Sequence, residues 1–198
     1  MLQPRSYTMS LDKAQLRRRF QTQRAAQEPA EKKRIDEEIC ARMLKSDLFQ
    51  HAGCIFLYVS TPLEIDTRVL LQKALAAGKT VCVPRCGAPG EMEARCIASL
   101  DDLQPGAYGI DEPAADTLVV DPMQIDLVIA PALACDRQGF RLGYGGGYYD
   151  RFLARTGAAS AALCAEARLV DMLPHEEFDR RCGWIFTERQ VLRTDEEQ

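Results

Sequence analysis

Residues 141–153 read RLGYGGGYYDRFL, with four glycines and three tyrosines inside seven residues, framed by Arg141 and Asp150. These residue types suit an anionic ligand. Gly143, Gly145, Gly146 and Gly147 permit positive φ and close backbone approach, so their N–H groups can converge on a phosphate. A helix starting just after them adds the positive end of its dipole. Arg141 can grip phosphate oxygens with its planar fork, and Asp150 supplies the hard oxygen that Mg²⁺ takes. The bland alternative is a glycine-rich surface turn; the flanking arginine, tyrosines and carboxylate weigh against it. Two stock phosphate motifs are not matched. GYGGGY misses the last glycine of G-x-G-x-x-G, and GKT at 78–80 lacks the upstream glycine of a P-loop, reading better as a helix cap that enters a strand.

The elements that must carry this loop alternate along the chain. Ser10 is placed to cap a helix from Leu11, with Leu16 and Phe20 on one face. Pro29 breaks it, and a second helix over about 30–45 shows Ile35, Ile39 and Met43 at i, i+4, i+8. CIFLYVS (54–60) is a short apolar run that predicts a buried strand. Residues 67–77 have helical spacing with Gly78 at the C-terminal position, and TVCVP (80–84) is the next strand. MEARCIAS (92–99) alternates as a strand with one wet face, 103–113 is turn-rich, and IDLVIAP (125–131) is another buried strand. Residues 148–156 read as helix, and 161–164 and 184–187 as the last strands. Strand and helix alternate, which predicts an α/β fold with a helical N-terminus: one domain over 1–198 with a flexible tail at 1–9, built on an open, mainly parallel, Rossmann-like sheet with helices on both faces. In such sheets ligands bind at the carboxyl ends of strands. The loops STPLEIDT (60–67), PRCGAPGE (84–91) and the glycine motif therefore surround one crevice.

Composition bounds the rest. The 198 residues are 46% hydrophobic and 27% charged, ordinary for a globular chain, and contain no apolar run of membrane-spanning length. The first twenty residues lack the apolar stretch of a secretory leader, so a cytoplasmic protein is expected. None of the eight cysteines forms a C-x-x-C pair, and the two histidines, His51 and His175, stand far from any cysteine doublet. Several cysteines sit in apolar runs, where a reduced thiol behaves as a small buried hydrophobe. Residues 1–34 carry nine Lys/Arg against three acids, a local charge of +6 on a chain of net −4. That segment suits nucleotide phosphate or a polycarboxylate, a solvated helix face being the plain alternative; the acidic body makes nucleic acid the weakest partner.

RLGYGGGYYDRFL, preceded by APALACDRQGF, resembles the signature of the 5-formyltetrahydrofolate cyclo-ligase family. Further matches fall in family order: KAQLR (13–17), LEIDT (63–67), GKTVCVPR (78–85), Met92, YGIDEP (108–113) and LVDMLPHEEFD (169–179). Nearly the whole chain is covered. The resemblance implies a monomeric ligase of one-carbon metabolism that uses ATP and Mg²⁺ to convert 5-formyltetrahydrofolate to 5,10-methenyltetrahydrofolate, releasing ADP and phosphate. It places ATP phosphates on Lys13 and Arg17 and on residues 141–149 (Arg141, Leu142, Gly143, Tyr144, Gly145, Gly146, Gly147, Tyr148, Tyr149). Folate falls to Val59, Glu64, Tyr108 and the 144–148 segment, where Glu64 and Tyr148 are the catalytic candidates, and Mg²⁺ to Asp150. The sequence departs from the family at Gly183, where a second aspartate usually stands, and at Arg168, Phe178 and Ala132. The Gly183 departure favours a non-catalytic folate or nucleotide sensor as the alternative; the basic N-terminal segment favours an RNA-associated relative.

Overall fold

The computed structural model describes residues 12–106 and 109–194. The tail expected at 1–9 and the cap expected at Ser10 lie outside them. Asp12 is the N-cap of α1 (Lys13–Ala25): its carboxylate accepts from the Gln15 N–H at 2.7 Å while Gln15 Oε1 accepts from the Asp12 N–H at 3.0 Å. This reciprocal capping box satisfies two donors that a helix start leaves open. Pro29 opens α2 (Pro29–Leu44), at a position where a missing N–H costs nothing. A short α3 (Asp47–His51), capped by Ser46, was not visible in the periodicity.

Then follow β1 (Cys54–Leu57), α4 (Arg68–Ala76), β2 (Thr80–Cys86), β3 (Met92–Ile97), β4 (Leu103–Pro105), β5 (Asp111–Pro113), β6 (Val119–Val120), β7 (Leu127–Ala130), β8 (Ala134–Asp136), β9 (Arg141–Leu142), α5 (Tyr148–Leu153), β10 (Ala159–Leu163), β11 (Leu169–Val170), β12 (Trp184–Phe186) and β13 (Val191–Arg193). The main sheet has eight strands in the order β13-β12-β10-β7-β1-β2-β3-β6. Its central five, β12 to β2, run parallel, and β13, β3 and β6 add antiparallel edges. The stretch expected to be turn-rich contains the β4–β5 hairpin, whose strands end in Pro105 and Pro113 and are too short to show alternation. Residues 133–142, for which no element was expected, pair β8 with β9, and β11 completes a small three-stranded sheet.

Side chains alternate across the central strands and fill two cores. Ile55, Leu57, Val81, Leu127 and Ile129 pack under α2, α3 and α4. Cys54, Phe56, Cys82 and Val128 face the other way, where Phe56 stacks on Phe152 of α5 with centroids 4.3 Å apart. α5 covers only part of that second face; the small sheet lies beside it, and α1 packs on the small sheet through Leu16 and Phe20 against Leu133, Leu142 and Leu173. All eight cysteines are free and six are buried. Cys135, Cys164 and Cys182 share one apolar cluster, as expected of thiols that serve as packing.

Candidate active site

From β1 the chain crosses to β2 on one side, whereas β7, β10 and β12 follow one another on the other side. Crossovers leaving the carboxyl ends of β1 and β7 therefore diverge and open a crevice between them. A cleft of about 1460 Å³ lies there, walled by Tyr58 and Val59 after β1, Pro84 and Cys86 of β2, Pro131 after β7 and the 141–150 segment. All three expected loops meet in it. Two further walls come from α1 and from residues 174–179. The volume exceeds the roughly 300–1,000 Å³ of a pocket for one small ligand, so two can lie end to end.

One half of the cleft is cationic. Gly145 and Gly147 line the cleft and hold φ at +106° and +65°, conformations that side-chain-bearing residues rarely adopt. Arg17 Nε donates to the Gly143 carbonyl at 2.9 Å and braces this loop against α1. The Arg141 side chain is only 3% exposed; its Nη1 donates to Asp150 Oδ1 at 2.9 Å, while Nε and Nη2 are buried without a partner. Two unsatisfied donors on one buried cation fit an arriving oxyanion, because leaving them unmade is costly. Asp150 Oδ1 also accepts from the Arg180 N–H at 3.0 Å. Lys13 Nζ lies 2.5 Å from Asp179 Oδ2 and 3.3 Å from Glu176 Oε2. Leu142, expected at the nucleotide, lines the cleft; its side chain packs with the core beneath α1 and its carbonyl accepts from Leu133 N.

The other half is apolar with one carboxylate. Glu64 is 5% exposed and accepts from the Thr61 N–H through Oε2 at 2.8 Å. Three tyrosines surround it. Burial first, and the Glu64 charge second, push the Tyr58 and Tyr149 hydroxyls well above their ordinary range and Tyr144 up to about 12. All three therefore stay protonated donors at neutral pH. Tyr58 donates to the Ile65 carbonyl at 2.9 Å, whereas the buried Tyr149 hydroxyl has no partner. Val59 is buried on this wall. The Tyr148 ring lies against Gly146, so close that a Cβ at residue 146 would stand 2.7 Å from it, and Arg151 sits 5.7 Å from its centroid. Tyr144 and Tyr148 both line the cleft. Tyr108 falls outside the described residues.

Among the described residues no group of three or more His, Cys, Asp or Glu is arranged to hold a metal ion. Asp150 fits Mg²⁺ as a single carboxylate ligand, with phosphate oxygens and water supplying the remainder. Gly183 does not line the cleft: its N–H donates to Ser160 Oγ and its carbonyl accepts from Thr194 N. Arg168 is buried, its Nη1 donating to Gln27 Oε1 at 3.3 Å, and Phe178 lies at the rim over Lys13. The sequence reading missed Arg24, Cys86, and Glu176 and Asp179 as partners of Lys13. For Arg24 a signal was present: it takes the third place of the buried i, i+4 stripe Leu16, Phe20, Arg24, where an apolar residue belongs.

Fold and site define a doubly wound α/β protein whose switch-point cleft has a half built for a polyanion and a tyrosine-lined half with one carboxylate. The model of the 5-formyltetrahydrofolate cyclo-ligase family matches residues 9–188, and the chain belongs to that family. It is 26% identical over 197 residues to a probable 5-formyltetrahydrofolate cyclo-ligase of Caenorhabditis elegans, covering 92% of this chain and 96% of that one. With the 5-formyltetrahydrofolate cyclo-ligase of Escherichia coli (strain K12) it shares 29% over 174 residues, 85% of this chain and 96% of the other. The solution NMR structure of 5,10-methenyltetrahydrofolate synthetase from Aquifex aeolicus superposes with a TM-score of 0.84 at 27% identity, covering 94% of each chain.

Proposed function

We propose that this protein is a cyclo-ligase that converts 5-formyltetrahydrofolate and ATP to 5,10-methenyltetrahydrofolate, ADP and phosphate. The observation that carries this reading is the pairing in one cleft of a buried, half-unpartnered Arg141 beside the glycine loop with a buried Glu64 among tyrosine hydroxyls. Lys13, Arg17, Arg141 and the N–H groups of the 143–147 loop hold the triphosphate; Glu64 accepts pterin N–H donors while Val59 packs on the ring. Tyr144 and Tyr148 set the formyl group against the γ-phosphate. The formyl oxygen attacks the γ-phosphorus and the bond to ADP breaks. N10 then attacks the activated formyl carbon, the carbon–oxygen bond breaks, phosphate leaves, and N10 loses its proton.

Phosphorylation turns a poor leaving oxygen into a good one, so the protein's share is positioning and charge stabilisation. Asp150 would hold Mg²⁺, which when bound would neutralise phosphate charge. Formation of methenyl-folate, followed by its absorbance, is expected only when 5-formyltetrahydrofolate, ATP and Mg²⁺ are all present. Binding of both ligands with no ATP-dependent product would instead make this a sensor, and the enzyme reading fails.

A further inference from the structure

We infer that Arg24 is a positioning residue of the folate half of the cleft: it sets the Tyr144 hydroxyl and, through it, Glu64. The inference rests on the reading proposed above. Arg24 is 4% exposed and shares its helix face with Leu16 and Phe20. Burying a guanidinium there costs several kcal/mol of lost hydration, and a core leucine would fill the same stripe. What the arginine adds is direction. Nη1 donates to Tyr144 Oη at 3.0 Å and Nη2 to the Ala132 carbonyl, so one side chain ties α1 to the glycine loop and to the loop after β7.

A guanidinium has no acceptor, so Tyr144 Oη must accept here and its own proton is left to be donated elsewhere. Glu64 lines the same cleft and, after burial, its charge is what raises the Tyr144 pKa, so this carboxylate is the acceptor toward which that proton is directed. Glu64 Oε2 also takes the Thr61 N–H at 2.8 Å. The chain Arg24 to Tyr144 to Glu64, closed by Thr61, therefore orients the carboxylate and leaves its remaining lone pairs for ligand N–H groups. Such ordering needs an anchor, because the residue carrying the hydroxyl is 50% exposed and flanked by Gly143 and Gly145. Without Arg24 the hydroxyl can rotate to donate to water, and Glu64 loses a donor that costs nothing to align when folate arrives.

The test measures Michaelis constants for both substrates and the equilibrium dissociation constant for 5-formyltetrahydrofolate, with melting temperatures alongside. The variants are Arg24→Met, Arg24→Lys, Tyr144→Phe and the Arg24→Met/Tyr144→Phe double variant. Loss of a charge-assisted hydrogen bond corresponds to about tenfold in the folate constants for either single Met or Phe variant. The double variant is expected to be no worse than Arg24→Met alone, and Arg24→Lys to fall between wild type and Met. The ATP constant should move by less than about twofold, the scatter of uncoupled sites. Multiplying effects in the double variant, or equal rises in both Michaelis constants, would overturn the inference. If Arg24→Met does not fold, Tyr144→Phe still decides, since it keeps the buried guanidinium; unchanged folate constants there sink the proposal. A wild-type protein that neither binds folate nor turns over defeats the functional reading and this inference with it. An active wild type with indifferent variants defeats this inference alone.

Discussion

The two halves of the cleft handle charge in opposite ways. In the cationic half, Lys13 sits 2.5 Å from Asp179, far along the chain, and Arg141 2.9 Å from Asp150 nine residues on, so cations already hold carboxylates. In the tyrosine half, Glu64 is met by a neutral donor, the Thr61 N–H, and stands near tyrosine hydroxyls, of which Tyr144 accepts from Arg24. The difference teaches how each half receives its ligand. A polyanion entering the first half would compete with Asp179 and Glu176 for Lys13, while Arg141 would keep Asp150 and offer its unpartnered Nε and Nη2. A ring system entering the second finds its acceptor already aligned, so recognition there is preorganised.

The strongest test of that contrast is Arg141→Met. Turnover should fall by at least about 10³, the scale of removing one preorganised donor from a developing charge. Unfolding free energy should drop by about 3–5 kcal/mol, because Asp150 loses the partner of a largely buried pair. Steady-state kinetics and urea unfolding read the two effects, and a variant with normal turnover breaks the assignment of Arg141 to phosphate. A smaller effect sharpens the division. Glu64→Gln should raise the folate Michaelis constant about ten- to hundredfold, the range of a hydrogen bond to a charged group, with little change for ATP. Lys13→Ala should do the reverse and more weakly, by about threefold, since its side chain keeps 21% exposure and its ion pairs are partly screened. Identical effects of both substitutions would erase the division.

The mildest probe is Cys86, half-buried on the cleft wall. Burial, then the Glu112 charge, pushes its thiol up to about 11, so the reactive thiolate is scarcer at any given pH than for an ordinary cysteine. Alkylation by iodoacetamide, followed by mass spectrometry of the Cys86 peptide, should still be climbing at about pH 10, where an ordinary thiol of pKa about 8.5 has levelled off. 5-Formyltetrahydrofolate should slow it. A plateau below that pH, or no protection, would mean that this wall is more open than the tyrosine half requires.

The parts of the fold readable in advance were those with strong local signals. β1, β2, β7, β10 and β12 are apolar runs, and α2 and α4 carry helical spacing with Gly78 at +71° behind the second. β6, β8, β9, β11 and β13 are two or three residues long, and no pattern of period two can be read in so few positions. Their pairing comes from partners elsewhere, as when the buried Asp136 accepts from the Gln138 and Phe140 N–H groups to close the β8–β9 turn and from Leu173 N to bring 171–179 toward the cleft.

The site divides along the same line. Residue types alone marked the glycine loop, Arg141 and Asp150, because phosphate gripping demands particular functional groups at short spacing; Lys13, Arg17 and Glu64 were marked only through the resemblance to the family. Which of those groups would be paired, idle or turned away was decided only in three dimensions. Lys13 found Asp179 across 166 positions of sequence, and Gly183 stayed off the cleft wall. Chemistry is written residue by residue, but the neutralisation of a charge depends on what packing brings within about 3 Å of it, and that distance is set by the folded sheet.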